Sequence, residues 1–480
     1  MRDYDPHAAT LRNIRRLIWL YFWLLIFEGA LRKWVAPNLS NPLLIVRDPV
    51  VLLIYFLAIR ARVFPTNGWV LALGIISVLA TLLTFIPLWP YISPARIALV
   101  TGFGFRSSFL HLPLIFIMGR VLRMEDVKRI GFWTLIVVVP MVVLMVGQFQ
   151  TPPDSFLNRT AGGEGEMMTS ALGKVRTAGT FSFVIGVVAY FALAAGFLIW
   201  GALRRDVYKN WLLYAAGSAM VIGVAVSGSR SVVGACVVVA CSLLVIAVLR
   251  PAAMNRFGQT LLVTLVLGLL VAQTPIFKEG LNVLTTRFNE VAESTETSIG
   301  LGIFERITNE FTESFHIFKE APFLGYGLGV GTNGGAKFLT GQNTFLLSEG
   351  EWARLVLESG PVLGIAFIIW RCAIVVWLGR ACLRAVLLGR TLPLLLFSSA
   401  FLPMISGQFG QPTIMGFVVM STGLVLAALR NDQDENAGAG PVLETPAVSR
   451  ARPLPRRSAY ATRLHGPGGT PPHPNGSSDR

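Results

Sequence analysis

Arg230 stands in the polar break "SGSRS" (227–231) between two long apolar runs, where a permanent cation needs a physical reason. A hydroxyl-rich turn at a helix start offers backbone N–H groups, the hydroxyls of Ser227, Ser229 and Ser231, and a guanidinium fork, which together are the chemistry of phosphate binding. The plainer reading is an arginine that snorkels from the turn to a nearby carboxylate. A diphosphate needs more than one cation, and Arg287 in "LTTRFNE" and Arg306 in "FERITNE" are the candidates for the second. For Arg306 the competing reading is the solvated face of an amphipathic helix. Carboxylates come from "LLSEGEWARLVLESGPVLG" (346–364). Glu349 or Glu351, partly desolvated at a membrane edge, suits a general base toward a hydroxyl. The helix dipole favours acids there whatever their role, and Glu351 and Glu358 flank Arg354 at i−3 and i+4, a spacing at which either can hold that arginine.

The elements that must position these groups are membrane helices. Of 480 residues, 53% are hydrophobic and 14% charged, with a mean hydropathy of +0.61, a composition too apolar for a soluble chain of this size. Runs of roughly 20 apolar residues, enough for ~30 Å of hydrocarbon, are expected near 14–30, 43–59, 68–89, 97–119, 131–148, 181–202, 211–227, 231–249, 259–274, 352–379, 388–405 and 412–429. The fold class is therefore all-α and polytopic, with about 12 spans over 1–429. The charge of +15 follows the positive-inside pattern. Arg12, Arg15, Arg16, Arg60, Arg62, Arg120, Arg123, Arg204, Arg250, Arg371, Arg380, Arg384 and Arg390 gather on one side, taken as the cytoplasm. Both termini then lie inside, and the loops near 149–180 and 275–351 lie outside. Cations on the outer side run against this bias: Arg32 and Lys33 in "FEGALRKWVAPNLS", Arg96, Arg159, Lys174, Arg176, Arg230, Arg287, Arg306 and Arg354. Ionisable groups at membrane depth are functional candidates by default.

Several other classes are excluded by pattern. The basic charge reads as topology, so no nucleic-acid partner is expected. The run "APFLGYGLGVGTNGG" (321–335) has GxGxG spacing but no strand–helix context and no GK[ST], so it reads as a glycine-rich turn that lets backbone approach a bulky substrate or a neighbouring helix. Cys236, Cys241, Cys372 and Cys382 lie in or beside apolar runs and read as packing residues; His111 and His316 stand isolated, so neither a zinc site nor another metal is indicated. In the long outer loop, Ile303, Ile307, Phe311, Phe315 and Phe318 recur at threes and fours, which marks a helix with one apolar stripe. Residues 430–480 turn to Pro, Gly, Arg and Ser, a composition expected to form a disordered basic cytoplasmic tail.

The combination of "SGSRS" opening a helix, a long outer loop ending in "PFLGYGLG" and "EGEWARLVLESGPVLG" leading into a span resembles the O-antigen ligase and O-antigen polymerase (Wzy-like) superfamily. The resemblance covers mainly 220–370. It implies a polytopic, GT-C-like glycosyltransferase of the bacterial inner membrane that uses undecaprenyl-diphosphate-linked glycans on the periplasmic face, without cofactor. It also implies a lipid-linked glycan donor, a glycan acceptor, and a flippase and a chain-length regulator as partners. Arg230, with Arg306 or Arg287, matches the diphosphate-holding arginines; Arg354 and Arg32 are supporting cations. Ligases of the family carry a histidine that, counted back from Gly360, falls on Glu349 here. "FEGALRKW" and "VRDPVVLLIY" resemble a divergent, exopolysaccharide-associated branch, which favours polymerase over ligase. A lipid-linked sugar flippase is the rival from another class.

Overall fold

A backbone surrounded by hydrocarbon must pair every N–H and C=O within its own segment, which makes helices the expected outcome. The computed structural model describes residues 6–162, 167–204, 206–251, 266, 272–295, 317–318, 320–341 and 346–437. Among them there is no strand beyond an isolated bridge between Thr169 and Val175. Eight helical segments of the described residues are long and apolar enough to cross a membrane, and the chain is a helical membrane protein. Its principal helices are α1 (Pro6–Ala30), α2 (Arg47–Arg60), α3 (Gly68–Leu83), α4 (Pro94–Phe105), α5 (Leu114–Val121), α6 (Met124–Gln150) and α7 (Val184–Leu203). These are followed by α8 (Asn210–Val226), α9 (Arg230–Leu249), α10 (Pro275–Thr295), α11 (Glu351–Leu387), α12 (Leu392–Ser406) and α13 (Pro412–Ala437). Leu71, Ile75, Val78 and Leu82 on α3, and Val237, Leu244 and Val248 on α9, are exposed apolar residues that a bilayer rather than water would cover. The described residues up to Asp434 form one compact unit. The span expected at 259–274 and the tail from 438 onward fall outside the described residues, save for a few positions of the former.

The run expected as one span over 352–379 is broken. Gly360 takes φ 75° and ψ 167°, and Pro361 follows it. The nine residues before the break fold back on those after it, so that Arg371 lies 2.8 Å from Glu351. A straight helix would hold positions twenty residues apart at about 30 Å. Such a reversal strands carbonyls, and the glycine-rich run 325–335 meets them. The backbone N–H of Tyr326 donates to Leu357 (2.7 Å) and that of Gly327 to Glu358 (2.9 Å). The same run then crosses α4, where a Cβ at Gly329 would stand 2.3 Å from the Val100 carbonyl, so only glycine fits. The close approach to neighbouring helices expected of these glycines is realised.

A second irregular stretch runs through the bundle at 176–183, ahead of α7. Its buried backbone is paired by side chains from other elements, as a low-dielectric interior demands. Gln148 accepts from the Gly179 N–H (2.8 Å) and donates to its carbonyl (3.2 Å). Lys33 donates to the same carbonyl (2.7 Å), Thr180 to the Ile26 carbonyl (2.7 Å) and Thr177 to the Val226 carbonyl (3.1 Å). Lys33 is fully buried with no carboxylate partner among the described residues, and it sits just past the first apolar span. Burial pushes its amine down to about 7.

Candidate functional site

The turn between α8 and α9 is made by Gly228, whose φ is +56°. Ser227 is fully buried; its hydroxyl donates to the Val224 carbonyl (2.8 Å) and accepts from the Ser229 N–H (3.2 Å). That hydroxyl is therefore spent on closing the turn, whereas Ser229 is half-buried and Ser231 is exposed. From behind, Ser170 donates to the Gly228 carbonyl (3.1 Å). Arg230 is the first residue of α9, is half-buried, and its guanidinium makes no hydrogen bond or ion pair among the described residues. The carboxylate partner that the plainer reading required is not among them. On α10, Val283 is buried against the turn, 3.9 Å from where a Gly228 Cβ would stand. Arg287 follows it by four residues, on the same helix face. Nearby, Lys174 pairs with Glu279 of α10 at 2.6 Å. The turn thus presents a cation at the start of a helix, with a second cation one helical turn along a packed neighbour. Arg306 lies outside the described residues, as do Ile303, Ile307, Phe311 and Phe315 of the expected stripe.

The acidic motif is built differently. Glu351 is fully buried and accepts from Arg354 Nε (3.1 Å) and Nη2 (3.0 Å), from Arg371 Nη1 (2.8 Å) and from the Phe409 N–H (3.2 Å). Glu358 accepts from Arg354 Nη1 (2.7 Å) and from the Gly331 N–H (2.9 Å). Arg371 spends its remaining donors on the carbonyls of Met404 (2.7 Å) and Gly407 (2.8 Å), and its guanidinium lies 3.8 Å from the Phe409 ring centroid. Two carboxylates and two guanidiniums cancel, and each carboxylate oxygen accepts at least one hydrogen bond. Proton transfer to Glu351 would break bonds to two arginines, which makes it a poor base. Glu349 is exposed, just before α11, and only its carbonyl is held, by Gln408 Nε2 at 2.6 Å. The expectation that Arg371 is a cytoplasmic-side loop cation is corrected: it is a buried partner of Glu351, brought there by the chain reversal at Gly360.

A second buried network was not foreseen. Arg47 donates to Glu28 (3.0 Å) and to the Pro412 carbonyl (2.7 Å). His111, expected to stand isolated, lies between Tyr21 (Nδ1, 3.0 Å) and Asp48 (Nε2, 3.0 Å), and Asp48 also holds Arg106. Arg32 lies 3.6 Å from Glu28 and donates to Ser40 (2.9 Å) and Ser182 (3.2 Å). The signal was present in the sequence: Arg47 and Asp48 interrupt an apolar run, and groups at that depth are rare without a partner. The loop 407–412 touches both networks, accepting from Arg371 at Gly407 and from Arg47 at Pro412. No hydrogen bond or ion pair among the described residues links Arg230 to Glu349, Glu351 or Arg354.

Compared with known proteins, the chain matches no family model, no curated protein and no solved structure.

Proposed function

We propose that the protein is a membrane glycosyltransferase that polymerises undecaprenyl-diphosphate-linked oligosaccharide units into an exopolysaccharide or O-antigen-like polymer at the periplasmic face of a bacterial inner membrane. In this reading about twelve spans form a GT-C-like bundle with both termini in the cytoplasm, and a flippase and a chain-length regulator work beside it. The observation that carries the reading is Arg230, a half-buried cation with no protein partner among the described residues, at a helix start between two apolar helices. A lipid diphosphate supplies the missing negative charge, and α9 adds its N–H groups. Arg287 neutralises the second phosphate, a role that Arg306 shares in the resemblance.

The donor is already activated, so the protein has two tasks. It stabilises charge on the departing diphosphate, and it orients and deprotonates the acceptor hydroxyl. Glu349 is assigned the base because it is exposed while Glu351 is saturated. The acceptor oxygen attacks the anomeric carbon as its bond to the diphosphate breaks, with inversion, and the proton goes to the carboxylate. Arg230→Ala and Arg230→Lys should each abolish polymer while leaving membrane abundance intact. Full-length polymer from Arg230→Lys would refute the bidentate phosphate contact.

A lipid-linked sugar flippase is the second reading, favoured by the two buried charge networks within the helices. A deletion strain separates them. Single repeat units accumulating at the outer leaflet support the polymerase, and accumulation at the inner leaflet supports the flippase.

A further inference from the structure

Where α3 and the second part of α11 pass each other, the bundle carries a lateral groove that neither charge network nor the Arg230 turn uses. The cavity is about 720 Å³ and is walled by Trp69, Ile369, Val376 and Trp377, with Arg380 and Arg384 at one end. Positions 369, 373, 376, 380 and 384 follow the threes and fours of one helix face. Trp69 is fixed in place: its carbonyl accepts from Trp370 Nε1 at 2.9 Å, and its ring lies 5.7 Å from that of Trp377. Arg380 and Arg384 are exposed, and their guanidiniums make no hydrogen bond or ion pair among the described residues. Arg250 meets the end of the same helix, its Nε and Nη2 donating to the Leu387 carbonyl (3.3 and 3.0 Å). No acidic residue occurs between 49 and 124 or between 359 and 430, so neither wall of the groove carries a counter-ion.

An apolar slot ending in uncompensated arginines suits a lipid with a negatively charged phosphate head. We infer that the groove holds an anionic glycerophospholipid of the surrounding bilayer, one acyl chain along Ile369 and Val376 and its phosphodiester between Arg380 and Arg384. The dimensions agree: Ile369 to Arg380 spans about 17 Å of helix, close to the ~15 Å of hydrocarbon in one leaflet. Arg380 and Arg384 lie within two turns of the end of α11, at headgroup level whichever way the chain inserts. Tryptophans are favoured at that interface, and guanidinium forks grip phosphate oxygens bidentately. This inference needs only that the chain is a membrane protein and is independent of the glycosyltransferase reading.

The test is native mass spectrometry of the full chain, purified in mild detergent, stripped of lipid and offered dioleoyl phosphatidylglycerol or dioleoyl phosphatidylcholine at equal concentration. Retention of one phosphatidylglycerol at least fivefold above phosphatidylcholine is expected, falling to parity in R380Q/R384Q. Equal retention by the wild type, or an unchanged preference in the variant, overturns the proposal, as does a protein dimer that excludes lipid from the groove. Should R380Q/R384Q fail to fold, Ala373→Trp fills the slot and leaves both arginines, and must abolish the preference. In wild-type protein, brominated phosphatidylglycerol must also quench tryptophan fluorescence more than brominated phosphatidylcholine, with the excess lost in the double variant W69F/W377F. Equal quenching by the two lipids refutes the site.

Discussion

The turn at 227–231 and the motif at 349–371 both place arginines where a membrane chain can least tolerate them, and they resolve the cost in opposite ways. Around Glu351 each charge meets an opposite charge and each carboxylate oxygen at least one donor, so the cluster is internally compensated. Around Arg230 the hydroxyl of Ser227 and the packing of Val283 shape the turn, and the guanidinium is left over. A saturated cluster fixes backbone; an unsaturated cation awaits an anion.

Substitutions break this contrast in graded fashion. Glu351→Gln leaves two arginines sharing a neutral amide in a dry interior, and should destabilise by about 3–5 kcal/mol, seen as loss of monodisperse protein on gel filtration and a collapsed melting temperature. Gly360→Ala comes next. It forces a side chain into φ 75° with a Cβ 2.2 Å from the Phe323 carbonyl, and about 2–3 kcal/mol of strain and repacking is expected in thermal unfolding.

Lys33→Met should have a smaller and pH-dependent effect. Burial holds the folded amine at about 7, whereas in the unfolded chain it returns to the ordinary lysine value of 10.5. Between those values the unfolded chain binds more protons, so wild-type stability rises with pH from 7 to 10.5, and below 7 the penalty is present in full. The Met variant should lose that slope and exceed the wild type most at pH 7 and below, measured by melting temperature across a pH series; an unchanged slope would place the titration elsewhere. Smallest in stability is Arg230→Ala, expected within about 0.5 kcal/mol of the wild type while polymer is lost. A large fall in melting temperature there would make Arg230 one more structural arginine and erase the contrast.

Apolar runs alone dictate that the chain is helical and membrane-embedded, because hydrocarbon admits few other backbones, and most span boundaries fall within several residues of where those runs begin and end. The i−3, i+4 spacing of Glu351 and Glu358 about Arg354 was equally legible, since it is local to one helix. Partners distant in sequence were not legible. His111 with Tyr21 and Asp48, Arg47 with Pro412, and Arg371 with Glu351 depend on which helices meet and on where Gly360 reverses the chain. Local pattern determines which segments leave water. Only tertiary contact decides which of their charges cancel and which, like Arg230, remain to be met from outside.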